Sequence, residues 1–310
     1  MRGVLPLQLA VVIGAAACSS GHAPAHDDAQ TAIDPADRAA MLDKKCVGGD
    51  LEACRQLGVM YQDGTGVSPD ARRATALFGQ ACAGNNFSAC NNLGINLAEG
   101  IGVDRNAAKA VEVYQKACDA SFTLACRNLG LMLRDGHAGV SPDLPRAEAL
   151  LEKACKGNVP FACKNAGDLE ATIAAKGQPA RWKQAIAHYK QGCDAGDPTA
   201  CRQIGVVYLE GKGLPRSTTA AVVWLERACV GDDAPACRVL GVMLASGVGV
   251  PKPDAERGRQ LLQRACDAKD DEACRLEKQL EEGSAGSGFG SALGSAIAPS
   301  DGSATLFGSG

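Results

Sequence analysis

Residues 81–118 read ACAGNNFSACNNLGINLAEGIGVDRNAAKAVEVYQKAC, and this stretch decides the fold. Cys82 is followed after seven residues by Cys90, and the segment closes on Cys118, 36 residues after Cys82. Ala89, Cys90 and Gly94 fall on one side of a helix, where missing bulk lets a neighbouring helix come close. Glycine costs helix propensity there, so packing must compensate. Gly100-Ile101-Gly102-Val103 then ends the first helix. Ala110, Tyr114 and Ala117 form a buried stripe at helical spacing on a second helix.

The same unit recurs along the chain. Of the 15 cysteines, 14 form seven pairs with seven residues between partners: Cys46/Cys54, Cys82/Cys90, Cys118/Cys126, Cys155/Cys163, Cys193/Cys201, Cys229/Cys237 and Cys266/Cys274. Successive second cysteines lie 36, 36, 37, 38, 36 and 37 residues apart. Ala precedes every second cysteine, and Gly follows four residues after six of them (Gly58, Gly94, Gly130, Gly167, Gly205 and Gly241). Phe78, Tyr114, Leu151, Tyr189, Leu225 and Leu262 stand four before the first cysteine of a pair. A period of this size marks a helical solenoid, in which each unit covers its neighbour's apolar face. It overrides the two-domain prior that 310 residues would otherwise suggest.

The Gly-x-Gly turns, echoed at Gly64-Thr65-Gly66, Gly211-Lys212-Gly213 and Gly247-Val248-Gly249, superficially suggest a phosphate cradle. They lack the preceding strand and the Lys-Ser/Thr ending of a nucleotide loop, so helix termination is the better reading. The fourth unit departs from the pattern, with Lys176-Gly177-Gln178-Pro179 in place of the turn, which points to a bend or special loop.

Each cysteine pair joins the last turn of one helix to the first turns of the next, within disulfide reach. A zinc site would need four ligands, and this spacing supplies two cysteines with no matching His. A redox-active pair would favour C-x-x-C. Structural disulfides are therefore expected, with no metal and no cofactor. The composition agrees with close helix packing: 46% hydrophobic but 4% aromatic, with 37 Gly. A net charge of −3 offers no basic field for nucleic acid.

The ends differ from the body. Residues 1–18 read as an export signal with Arg2 ahead of an apolar run, and Ala15-Ala16-Ala17-Cys18 resembles a lipobox whose cysteine would carry lipid and anchor the chain to a membrane. Ala15 replaces the usual Leu, and cleavage by ordinary signal peptidase, giving a secreted chain, is the alternative. Cys18 is also the cysteine left over from the seven pairs. Residues 19–33 have the composition of a flexible tether, in which His22 and His26 lack a third ligand, and residues 283–310 that of a Gly/Ser-rich disordered tail. Asp34-Pro35 opens a capping half-repeat helix, and Lys278 replaces glycine in the last helix.

The motif A-C-x-x-L-G, then x-G-x-G-V, then A-x-x-x-[FY]-x-x-A-C resembles Sel1-like repeats of the disulfide-stapled type found in the Helicobacter cysteine-rich protein family, over residues 34–282. The resemblance implies an all-α, right-handed α/α superhelical solenoid related to tetratricopeptide repeats, with a concave groove. It also implies penicillin binding or β-lactamase activity, labels that Helicobacter members carry. Ser-x-x-Lys, Ser-Asp-Asn and Lys-Thr-Gly are missing from the sequence, and His22, His26, His137 and His188 are scattered, against a zinc hydrolase. A cysteine-rich assembly factor of the mitochondrial intermembrane space is similar in repeat type, but the lipobox-like start favours a bacterial envelope, facing the periplasm or the surface.

Two positions on the first helix of each unit are candidates for binding. Two residues after the second cysteine stand Gln56, Asn92, Asn128, Asn165 and Gln203, amides able to donate and accept along an extended peptide backbone. One residue earlier, Arg55, Arg127, Lys164, Arg202 and Arg238 could attract carboxylates. The expected function is an exported scaffold binding a protein or peptide in its groove. No catalytic residue is assigned.

Overall fold

The structure, a computed structural model, describes residues 33–281. Cys18 with its proposed lipid, the export signal, His22, His26 and the Gly/Ser-rich tail lie outside the described residues. Within them run fourteen helices: α1 (Pro35–Val47), α2 (Leu51–Asp63), α3 (Ala71–Ala83), α4 (Phe87–Glu99), α5 (Ala107–Asp119), α6 (Thr123–Asp135), α7 (Leu144–Lys156), α8 (Ala162–Ala175), α9 (Trp182–Asp194), α10 (Pro198–Glu210), α11 (Thr218–Val230), α12 (Ala234–Ser246), α13 (Ala255–Asp267) and α14 (Asp271–Glu281). Each packs on the helix before and after it, giving the expected α/α superhelical solenoid.

Local chemistry sets the helix ends. Asp34 caps α1 ahead of Pro35, and Asp50, Asp70, Asn86, Asn106, Asp143, Asp197, Ser217, Asp233 and Asp254 accept backbone N–H bonds at later starts. The two glycines of the α4–α5 turn have separate tasks. Gly100 closes α4 at φ 78°, in the left-handed region. Gly102, at φ 68°, leaves room for the carbonyl of Ala71 at the start of α3, which a Cβ would strike.

Small residues sit at the helix crossings, as the stripe implied: Ala74, Ala81, Ala110, Ala117, Ala147, Ala154, Ala221 and Ala228 are fully buried. Even-numbered helices of successive units touch directly at α6–α8, α8–α10 and α12–α14, whereas no two odd-numbered helices come as close. The even-numbered helices therefore line the inner, concave side.

All seven cysteine pairs form disulfides: Cys46–Cys54, Cys82–Cys90, Cys118–Cys126, Cys155–Cys163, Cys193–Cys201, Cys229–Cys237 and Cys266–Cys274, with Cα–Cα distances of 4.5–4.7 Å. The first cysteine of each pair is the last residue but one of an odd-numbered helix. Their uniform spacing conceals two differences. Cys54, Cys90, Cys126, Cys201, Cys237 and Cys274 are the fourth residues of their helices, whereas Cys163 is the second of α8. Cys54, Cys201 and Cys237 are buried, but Cys266 and Cys274 are only half-buried, because no further unit packs over the last bridge.

The fourth unit is irregular at both ends of α8. Other even-numbered helices begin three residues before their second cysteine, but α8 begins one residue before Cys163. Val159, Pro160 and Phe161 replace its first turn, with Phe161 at φ 60°. Beyond α8 a 3-10 turn, Pro179–Arg181, stands where the first, second, fifth and sixth units have Gly-x-Gly. The apolar core divides there, one cluster ending at Ile173 and the next starting at Ala185.

Candidate functional site

The amides predicted to line the groove meet three different environments. Asn92 and Gln203 are half-buried on α4 and α10 and make no side-chain hydrogen bond among the described residues. Gln56 donates to Glu52 Oε1 at 3.0 Å and lines a cleft of about 400 Å³ with Arg38, Leu42, Val59 and Asp63. Asn128 and Asn165 are buried, contrary to the expectation of a continuous ladder facing a ligand. Asn128 Nδ2 donates to Asn91 Oδ1 at 2.8 Å, and Arg127 Nε donates to Asn165 Oδ1 at 2.9 Å. These two amides tie α4, α6 and α8 together, because a buried amide must find a partner and the next concave helix supplies it.

The five basic residues are all engaged. Arg55 Nε donates to Glu52 Oε2 at 2.9 Å, and that carboxylate also accepts from Asn86 Nδ2 at 3.0 Å across to α4. The Arg55 bond chiefly, with Asn86 and Gln56 and against a cost of burial, holds Glu52 down at about 2. Arg202 Nε reaches Asp233 at 2.9 Å and Arg238 Nε reaches Asp270 at 3.0 Å, so an arginine of one unit grips the capping residue of the next. Lys164 instead pairs within its own helix, with Asp168 at 2.7 Å. Burial, then the charge of Arg134, lowers the Arg127 guanidinium.

The cysteines that phase these positions belong to the framework rather than to a binding surface. Cys54, Cys201, Cys237 and Cys274 each spend their sulfur on a bridge to the preceding odd-numbered helix, at Cys46, Cys193, Cys229 and Cys266. The cleft beside Gln56 is lined without Cys46 or Cys54, although Cys54 directly precedes Arg55, which lines it. Their effect on the candidate site is to fix where Arg55, Arg202 and Arg238, and the amides Gln56 and Gln203, stand on their concave helices.

A second set of contacts escaped the sequence reading. Lys116 and Lys153, each two residues before a first cysteine, donate Nζ to the carbonyls of Cys82 and Cys118 at 2.8 Å, and Arg227 Nη2 donates to that of Cys193 at 2.9 Å. These cations neutralise the carbonyl end of the preceding odd-numbered helix. Their fixed offset from the cysteines was the available signal.

In the fourth unit, Arg181 bridges Glu148 at 2.9 Å and the buried Glu170 at 3.2 Å. Burial, then the Glu148 charge, raises the Glu170 carboxyl despite Arg181. His188 on α9 is half-buried, which lowers its imidazole against the pull of Glu152 and Glu148. His137 sits in a turn bridged to Val140. Among the described residues no group of three His, Cys, Asp or Glu could hold a metal ion, and no helix is long and apolar enough to cross a membrane.

The Sel1 repeat model matches residues 51–86, 87–122, 123–159, 183–197, 198–229 and 234–270, more than half of the chain. The chain belongs to the Sel1 repeat family. Sel1 repeats typically serve as protein-interaction scaffolds. The stretch 160–182, outside every matched segment, is where the structure departs from the repeat. Among solved structures, c5321, a protective antigen of uropathogenic Escherichia coli strains displaying an SLR fold, aligns at TM-score 0.67 and 25% identity over 80% of this chain and 53% of the antigen. The chain thus spans about half the length of that antigen. A Sel1 repeat protein from Oxalobacter formigenes aligns at TM-score 0.64 and 23% identity, covering 74% of this chain and 92% of that one. Helicobacter pylori cysteine-rich protein B aligns at TM-score 0.35 and 23% identity over 44% of this chain and 95% of its own. Among curated proteins no match is found. One disulfide per Sel1 unit is the organisation implied by the resemblance to Helicobacter cysteine-rich proteins, and seven such bonds indicate a non-cytoplasmic, oxidising compartment.

Proposed function

We propose that this Sel1 protein is an exported scaffold that binds a protein or peptide along the concave face of its even-numbered helices in the bacterial envelope, tethered through lipid at Cys18. The observation that carries the reading is the pair Asn92 and Gln203, half-exposed concave amides with no internal partner, together with the cleft beside Gln56. Such groups accept and donate to a peptide backbone without demanding one sequence. Asn128 and Asn165 belong to this reading as positioning residues, since their amides bond within the array. So do the bonds of Arg127, Arg202 and Arg238, which link one unit to the next, while those of Arg55 and Lys164 stay within their own helices. A protective antigen with a related fold is consistent with an exposed envelope location.

The test places a photo-crosslinking residue at Asn92 or Gln203, on the concave side, or at the exposed Lys190 on α9, in cells. Partner crosslinks confined to the concave positions are expected. Equal crosslinking at Lys190, or none at any position, would remove the support for a concave binding face. Turnover of a chromogenic β-lactam by the oxidised protein would replace the scaffold reading with a hydrolase.

A further inference from the structure

Of the aspartates Asp197, Asp233 and Asp270, which each cap an even-numbered helix after a unit with a basic residue behind its second cysteine, Asp197 is the one not gripped from the preceding unit. The residue after the second cysteine is Arg202 or Arg238 in the later units, and it grips Asp233 or Asp270. At the fourth unit this position is Lys164, whose ammonium goes to Asp168. Asp197, the capping residue that Lys164 would otherwise meet, uses Oδ1 for the N–H groups of Thr199 (2.9 Å) and Ala200 (3.3 Å) and for the Thr199 hydroxyl (2.6 Å). Its Oδ2 has no hydrogen-bond partner in the protein, although Asp197 is only 8% exposed. A buried carboxylate oxygen without a donor is costly, and a cation is the complement that removes the cost.

Asp197 lines a cleft of about 330 Å³ with Val159, Pro160, Phe161, Gly196 and the Cys155–Cys163 bridge. The missing first turn of α8 forms one wall, and Phe161, 49% exposed in the left-handed region, stands at it. The cleft lies on the disulfide-bearing edge of the array, where odd-numbered helices pass into even-numbered ones, and not on the concave face. Its chemistry is an apolar wall, an aromatic ring and a buried carboxylate. That suits a side chain with an aliphatic stem, a planar cation able to stack on the ring, and a directed N–H.

We propose that this cleft is a docking site for an arginine side chain of a partner protein, with Asp197 as its carboxylate. The arginine supplies in trans the contact that Arg202 and Arg238 make in cis to Asp233 and Asp270. The inference does not depend on binding along the concave face, since the two sites share no residue.

The oxidised full chain, isotopically labelled, is titrated with acetyl-Gly-Arg-Gly amide and with its citrulline counterpart while backbone amide resonances are followed. Saturable shifts at Phe161, Gly196 and Asp197 are expected, with the citrulline peptide about tenfold weaker or more. Asp197→Asn removes the charge yet keeps a capping side chain, as Asn86 does at α4, so the variant folds; it should lose the arginine preference. Lys164→Arg should also lose it, by filling the contact in cis. Equal binding of the two peptides, no saturable shift, or an arginine preference retained in both variants would overturn the proposal. Loss of concave crosslinking at Asn92 and Gln203 would leave it standing.

Discussion

Gly94 on α4 and Tyr114 on α5 are matched across their crossing: a Cβ on Gly94 would lie 2.5 Å from Cε1 of Tyr114. The same fit joins Gly58 to Phe78, Gly130 to Leu151, Gly167 to Tyr189 and Gly205 to Leu225. Each of these odd-numbered helices thus presses a large buried side chain into the gap that glycine leaves on the helix before it. Gly94→Ala should destabilise the protein by about 2 kcal/mol, because the fully buried Tyr114 ring has no free space to move into. Gly79→Ala, in α3 with nothing within 4 Å of the added methyl, should stabilise by up to about 1 kcal/mol through helix propensity. Urea unfolding of both variants checks the opposite signs; a shared sign would contradict the packing account.

The arginine contacts between units should matter far more than exposed ion pairs of similar length. Asp233 is buried, so Arg202→Met leaves a desolvated carboxylate with only its capping bond, at a cost of about 3 kcal/mol. Lys156→Met breaks a solvent-exposed pair with Glu152 and should change stability by less than about 0.5 kcal/mol. Equal effects in urea unfolding would show that burial of Asp233 does not govern the contact.

Much of this was legible in the chain itself. Cysteine spacing, Ala53 and its equivalents, and the phased glycines establish helix order, disulfide pairing and crossing points, because each reports a local steric or covalent demand that repeats. The fate of Asn128 was not legible. Its offset from Cys126 is the same as that of Asn92 from Cys90, yet Asn128 is buried against Asn91 while Asn92 stays half-exposed. The difference depends on which residue the next unit brings alongside. Where Asp233 or Asp270 caps the following helix, the arginine of the preceding unit goes there; where Phe122 or Val159 occupies that position, Asn91 and Arg127 turn to Asn128 and Asn165. Such a relation spans more than thirty residues and is invisible to spacing within one unit.

Glu52 makes the first link of that series sensitive to acid. Its carboxyl, held at about 2 mainly by Arg55, is depressed below its unfolded value, so its contribution is complete above about pH 4.5 and disappears as pH falls towards 2. The side chain is 48% exposed, so solvent screening limits the contribution to about 1 kcal/mol or less. Glu52→Gln should therefore be less stable than the natural protein at pH 7 and equal to it at pH 2. Urea midpoints at the two pH values decide this, and a difference that persists unchanged at pH 2 would rule out the ionised carboxylate as its source.

The disulfides should act one unit at a time. Closing an eight-residue separation such as Cys82–Cys90 restricts the unfolded chain by about 2.5 kcal/mol in the loop-entropy model. Because each helix packs chiefly on its chain neighbours, that loss cannot spread evenly over the array. The double variant Cys82→Ala/Cys90→Ala should lose at least about 2.5 kcal/mol in α3 and α4, with a further contribution from the two missing buried sulfurs. Amide hydrogen exchange should speed up in α3, α4 and the helices that touch them, and stay unchanged in α11 and α12. Uniform acceleration through all fourteen helices would mean that the solenoid unfolds as one cooperative block, and the picture of independent staples would fail.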